Sequence, residues 1–275
     1  MEKWQICEAE CLAYLQSKYS KNENNFEAEG GSDSTKSDIL FRKYGAVAFY
    51  IESKMSQAQC GQFVAFPNLE SKSFDYSRAN AYPENIYSES ILEKMAEDFD
   101  RYKNPGTDGI ELLMDNDLFY SWIGEFYKAK NVKYFIIEKD VGNNNMSSSN
   151  FVIFPIEHFQ HYFNVSAKYR RKKSGSTNPT ENDYAEITKA AKSEGFSITD
   201  FYSNDGRHLL VKMNAVSGTY KIIGEKHTFQ FKNTSGNEFI VTRLSNTNNP
   251  NVIFSIGLIQ EQQQRDLDKF EREFI

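Results

Sequence analysis

Thirteen residues separate Asp38 from the tripeptide Glu52-Ser53-Lys54, and these side chains are the types that phosphodiester hydrolysis needs. Two carboxylates within a few ångströms repel each other unless a divalent cation lies between them, and their hard oxygens suit Mg²⁺. An ammonium group added to that pair places positive charge beside an attacking water and a phosphate. On a strand, residues 52 and 54 point to one face, and an adjoining hairpin strand can bring Asp38 beside them. The same tripeptide recurs as Glu70-Ser71-Lys72, after Pro67-Asn68 and without a preceding apolar run. That copy reads as surface, so Glu-x-Lys alone carries little. The strand before Glu52 and the acid-bearing hairpin distinguish the first copy.

The elements that must position these groups follow from periodicity. Asp38–Arg42 and Ala46–Ser53 are β-rich, and Lys43-Tyr44-Gly45 between them is a hairpin signal. Val47–Ile51 is apolar throughout, which predicts a strand covered on both faces. Upstream, Trp4, Cys7, Cys11, Leu15 and Tyr19 recur at helical spacing and predict a helix over 2–19, whereas 21–37 reads as a loop. Helices are expected over 88–102 and 116–129, buried strands over 132–138 and 151–154, and a helix from Pro155 to Tyr162. This order predicts an α/β (α+β) fold, a mixed central sheet flanked by helices.

After Val165 the character changes. Lys168, Arg170, Arg171, Lys172 and Lys173 run into the Gly- and Ser-rich stretch 174–179 and read as a basic loop. A helix over 180–192 and short strands near 209–213, 220–223, 228–231, 238–243 and 252–257 form a β-rich region, and a terminal helix closes the chain. The expected division is a core at 1–164, a β-rich region at 165–257 and a helix at 258–275.

Charge divides the same way. The net charge is −6 over 275 residues, which argues against a protein that merely coats nucleic acid. Residues 1–164 hold 16 basic and 25 acidic side chains, whereas residues 165–260 hold 13 and 8. Acid in front and base behind is the distribution a metal-dependent enzyme acting on a polyanion requires. The 22 Phe and 16 Tyr exclude a disordered chain. No run reaches the roughly 18 to 20 apolar residues of a membrane span. Together with three cysteines that cannot all pair, this leads to the expectation of a soluble, cytoplasmic protein with reduced thiols.

From Gly30-Gly31-Ser32-Asp33-Ser34-Thr35-Lys36-Ser37-Asp38-Ile39-Leu40 to Tyr50-Ile51-Glu52-Ser53-Lys54, the chain resembles the PD-(D/E)XK nuclease superfamily and, within it, the type II restriction endonucleases. Ser37 stands where the motif name has proline. Tyr134-Phe135-Ile136-Ile137 and Phe151-Val152-Ile153-Phe154-Pro155 resemble the outer strands of that fold. The resemblance implies that Asp38, Glu52 and the Ser53 carbonyl hold Mg²⁺, with Lys54 orienting or helping to deprotonate the attacking water. It also implies an upstream glutamate at the metal, for which Glu27, Glu8 and Glu10 are the candidates. Gln57, Gln59 and Gln62 follow the motif closely, and two readings stand equal for them, one of the three reaching the DNA backbone or a metal-bound water, or all being solvated polar residues. A cognate DNA methyltransferase in the same system and either a homodimer or sequential nicking are further implications.

Sequence reading would have to come from elsewhere, because a metal site sees only phosphates. Arg207, Lys212 and Arg243 in the β-rich region are side chains that can pair with base edges, while the 168–173 cluster suits phosphate contact. Two rival readings stand beside this one. The first is a repair or junction-resolving nuclease that reads the shape of double-stranded DNA. The second is a non-catalytic DNA-binding module in which Glu52 and Lys54 form a salt bridge. His158 and His161, three apart, lack further metal ligands, and Cys60 lacks a nearby histidine.

Overall fold

The computed structural model describes residues 2–21, 23–29, 36–173, 175–203, 208–245 and 248–274. Residues 30–35 of the segment carrying the resemblance lie outside the described residues, as do Arg207 and the side chain of Lys173. The chain divides into two compact units, residues 1–170 with 250–275, and residues 171–249.

The first unit opens with α1 (Lys3–Tyr19), whose buried Cys7, Cys11, Tyr14 and Leu15 recur three and four residues apart. Strands β1 (Asn24–Ala28), β2 (Ile39–Lys43) and β3 (Ala46–Met55) follow. Tyr44 and Gly45, both at positive φ, form the two-residue β2–β3 turn, a conformation matched to the twist of the flanking strands. The chain continues through β4 (Gln57–Asn68), β5 (Ser73–Tyr76), α2 (Ile86–Glu97), α3 (Phe99–Tyr102), β6 (Ile110–Glu111) and α4 (Asn116–Ala129). Then come β7 (Val132–Glu138), β8 (Phe151–Pro155), α5 (Phe159–Tyr162) and β9 (Phe163–Lys173).

The central sheet runs β1-β2-β3-β7-β8, with β3 and β7 parallel and the other pairs antiparallel. It is buried on both faces. Ile51, Tyr134 and Ile136 pack with Cys11, Leu15 and Phe270 on one side. On the other, Phe135 and Ile137 join Trp122, Phe154 and Phe254. Each such side chain contributes about 1.5–3 kcal/mol by leaving water.

Alternation explains why β7 reads as a continuous apolar run. In β3 only the second half is covered. Ala46, Val47 and Ala48 are exposed, so the expectation of a strand covered on both faces holds only from Phe49 onward.

The second unit holds α6 (Tyr184–Ser193), β10 (Ile198–Tyr202), β11 (Leu209–Met213), β12 (Thr219–Ile223), β13 (Thr228–Ser235) and β14 (Glu238–Leu244). Its sheet is antiparallel throughout, in the order β10-β11-β14-β13-β12. Ile187 and Ala191 of α6 cover Val211, Phe229, Phe231, Phe239 and Val241.

The chain then returns to the first unit through β15 (Asn248–Leu258), which pairs with β4 in a further sheet ordered β5-β4-β15-β9-β6. The last helix, α7 (Gln264–Glu271), buries Phe270 against Tyr19 and Tyr134. Among the described residues no helix is long and apolar enough to cross a membrane.

Candidate active site

Asp38 lies directly before β2, and Glu52, Ser53 and Lys54 end the buried half of β3. The hairpin register pairs Ile39 with Ile51 and so brings the acid beside the tripeptide. Asp38 Oδ2 accepts the Ser53 backbone N–H at 2.9 Å and the Ser53 hydroxyl at 3.0 Å. Lys54 Nζ lies 2.5 Å from Glu52 Oε1 and 3.7 Å from Asp38 Oδ2, and donates to the Ser53 carbonyl at 3.0 Å. The side chains are largely out of water, 4% exposed for Glu52, 11% for Asp38 and 16% for Lys54. Glu52 Oε2 is buried without a hydrogen-bond partner.

These surroundings set the charges. Burial pushes the Glu52 carboxyl up from its ordinary range, and Lys54 opposes that shift. Burial works against the charge of Lys54, but Glu52 and Asp38 outweigh it and hold its proton above the ordinary lysine range.

The upstream glutamate that comes to this group is Glu8. It faces Asp38 from α1, and burial together with the Asp38 charge pushes it up to about 7. Glu10 and Glu27, the other candidates, are placed elsewhere. Glu10 turns to the backbone N–H groups of Gly142 and Asn144. Glu27 pairs with Arg42 on β2, and it sits on β1 rather than in the expected loop.

A cleft of about 360 Å³ opens at the site, lined by Trp4, Cys7, Glu8, Ser53, Lys54, Met55, Ala58 and Gln59. A larger surface depression of about 740 Å³, lined among others by Lys18, Lys43 and Tyr44, contains none of the candidate catalytic groups.

No family model matches the chain, and no curated protein matches it. Its fold matches the HhaI endonuclease, solved in complex with DNA, at a TM-score of 0.79. The match has 38% sequence identity and covers 100% of this chain and 99% of that one. The chain belongs to the type II restriction endonucleases.

One charged group of this endonuclease's site escapes sequence reasoning. Lys130, just past α4, places Nζ 3.8 Å from Glu52 Oε2 and is only 11% exposed. Its ammonium also sits over the Phe126 and Tyr127 rings, at 5.3 and 5.4 Å. The backbone carbonyl of Lys130 accepts the Ser37 hydroxyl at 3.4 Å, which ties the start of β2 to the end of α4.

The remaining candidates sit on other elements, and of these Gln59 lines the cleft. Gln57, Gln59 and Gln62 lie exposed on β4, with Gln59 donating to Gln62 at 2.8 Å. The 168–173 cluster is strand, not loop. Val165, Ala167 and Tyr169 of β9 point inward, while Lys168 is exposed and Arg170 half-buried. Arg171 donates to the Asn248 carbonyl at 3.2 Å, and Lys172 is half-buried. Lys212 lies 3.9 Å from Asp200. The Arg243 guanidinium is engaged by Thr177 at 3.2 Å and Asp183 at 3.4 Å.

His158 hydrogen-bonds Asp266 at 2.9 Å, and Asp266 also accepts the Tyr162 hydroxyl, a structural network. Burial pushes the Cys60 thiol up to about 12, which leaves it protonated and inert.

Proposed function

We propose that this endonuclease cleaves double-stranded DNA at a specific short sequence by Mg²⁺-assisted phosphodiester hydrolysis, with Asp38, Glu52 and Lys54 at the reacting centre. The carrying observation is the convergence of two carboxylates on the Lys54 ammonium, which lines a cleft together with Ser53 and Glu8. Among them Glu52 Oε2 is buried without a hydrogen bond, with Lys130 Nζ 3.8 Å away, and its lone pairs suit a hard cation. Asp38, Glu52 and the Ser53 carbonyl would hold Mg²⁺, with Glu8 supporting from α1. When bound, the ion would neutralise phosphate charge and acidify its water.

Held 2.5 Å from Glu52 and 3.7 Å from Asp38, Lys54 would orient the attacking water or help to deprotonate it, and would stabilise charge building on phosphorus. Lys130 holds the second Glu52 oxygen in place. The basic residues of β9 and the second unit would supply phosphate contacts and base reading. Of that set, Arg243 is the least suited, because its guanidinium already serves Asp183 and Thr177. Cutting both strands with one such centre requires two copies of the chain or two successive nicks.

Unmethylated bacteriophage DNA incubated with the protein and Mg²⁺ tests the reading. Discrete fragments support it, a smear indicates a nonspecific nuclease, and cleavage confined to branched DNA favours a junction enzyme. Intact DNA across all substrates would retire the catalytic assignment and leave a binding module.

A further inference from the structure

The helix that carries Glu8 presents a second set of ligand-bearing side chains, chemically unlike the first. Cys7 and Cys11, one turn apart on α1, hold their Sγ atoms 4.0 Å apart. Glu138, the last residue of β7, brings its carboxylate to them, so that one ligand atom from each of the three lies within 4.8 Å of the others. All three are buried, at 2%, 0% and 0% exposure.

An independent observation marks the place as incomplete. Asn150 donates to Glu138 Oε1 at 3.3 Å, but Oε2 is buried with no hydrogen-bond partner. A buried carboxylate oxygen without a donor is costly and calls for a proton or a cation. Behind it, Glu10 is fixed by the Gly142 and Asn144 N–H groups at 2.8 and 3.2 Å. These contacts anchor the loop after β7 to α1.

We propose that Cys7, Cys11 and Glu138 form a binding site for a thiophilic divalent cation, with Zn²⁺ as the best fit, distinct from the hard-oxygen site around Asp38 and Glu52. The sulfur spacing suits it, because two thiolates on a tetrahedral zinc at Zn–S of about 2.3 Å stand roughly 3.8 Å apart. Ligand softness separates the two centres, since thiolates select zinc-like ions whereas Mg²⁺ keeps to oxygen. Cys7 lines the cleft, the side from which an ion would reach the site. On binding, each thiol releases its proton to solvent, and so does Glu138 where it carries one.

The other three-residue cluster, Asp183, Glu186 and His227, does not compete. Its carboxylates already accept bonds from Thr180, Arg243, His227 and the backbone of Lys226. A cation at the cysteines would fasten α1 to the end of β7 and so fix the helix that carries Glu8. The proposal stands whether or not the nuclease assignment does.

Titration of the chelator-treated full-length protein with Cd²⁺, in excess Mg²⁺, tests it through the ultraviolet thiolate-to-cadmium charge-transfer band. The expected result is one equivalent bound in the wild type and in Glu52→Gln. The band should be lost in Cys11→Ser, and binding should be about tenfold or more weaker in Glu138→Gln. No band in the folded wild type would overturn the proposal, as would an undiminished band in Cys11→Ser. The wild-type titration decides even where a variant fails to fold.

Discussion

Replacing Lys54 by methionine keeps the length and packing of the stem and deletes only the ammonium. Glu52 then loses its 2.5 Å partner and retains Lys130 at 3.8 Å, while Asp38 keeps both Ser53 donors. Breaking a buried ion pair from one side costs about 3–5 kcal/mol. The surviving Lys130 and Ser53 contacts reduce this to about 2–3 kcal/mol at pH 7. The pH dependence has a definite sign. Burial already raises the folded-state pKa of Glu52 above its ordinary 4.5, and removing the lysine raises it further. A group with a raised folded pKa contributes its full stability below the unfolded value and loses it as pH climbs. The penalty of Lys54→Met is therefore largest at neutral pH and fades toward pH 4.5. Urea unfolding in chelator at pH 7 and pH 5 measures it. Cleavage of DNA should fall by about 10²-fold or more, with binding of the same DNA kept. A variant as stable as the wild type at pH 7, or one cleaving at an undiminished rate, would refute the argument that this ammonium neutralises the two acids and serves the chemistry.

Glu8→Gln should raise the Mg²⁺ concentration for half-maximal cleavage about tenfold, and Glu27→Gln should leave it unchanged, as read from metal-dependence curves. In the second unit, burial opposes the charge of Glu186, but the Lys226 and His227 donors outweigh it and depress its carboxyl to about 2. That stability is present above pH 4.5 and is lost as pH falls toward 2. Glu186→Gln should cost about 1 kcal/mol at pH 7 once solvent screening is allowed for, with the difference from wild type closing in acid, measured by denaturant unfolding. Gly61→Ala should cost about 2–3 kcal/mol, because the added Cβ would lie 2.7 Å from the Trp122 ring at a residue with φ +95°. A loss below about 0.5 kcal/mol in thermal or urea unfolding would show that the ring yields freely.

What was legible in the sequence followed periodicity. The 3.6-residue recurrence of α1 and α4, the β2–β3 hairpin and the buried runs of β7 and β8 appear where the pattern predicts them. Strand β4 was not legible because its alternation is interrupted. Between Gln59 and Gln62, Cys60 and Gly61 face the single residue Phe254 of β15, and this bulge resets which side chains point inward. β1 hid behind asparagines, with Phe26 its one fully buried side chain. In β9 the inward residues 163, 165, 167 and 169 do alternate, but the charges that follow drew the reading toward a loop. Lys130 was out of reach for a different reason. Its role depends on the parallel pairing of β3 with β7, a contact between segments far apart in the chain with no local trace.

The two Glu-Ser-Lys tripeptides show where catalytic character resides. Glu70, Ser71 and Lys72 are all exposed in the turn between β4 and β5, with Lys72 at φ 55°, and their charges face water. Glu52, Ser53 and Lys54 have identical side chains, yet the strand puts the acid and the lysine on one face. The central sheet removes solvent from them, and the hairpin adds Asp38. In water a carboxylate and an ammonium 4 Å apart interact by about 1 kcal/mol, and several times more where the effective dielectric is low. Only the second setting holds a lysine's charge out of water against two acids and leaves a buried carboxylate oxygen without a hydrogen bond. The chemistry therefore belongs to the hairpin and its parallel neighbour, and a tripeptide transplanted out of them keeps its charges but not its function.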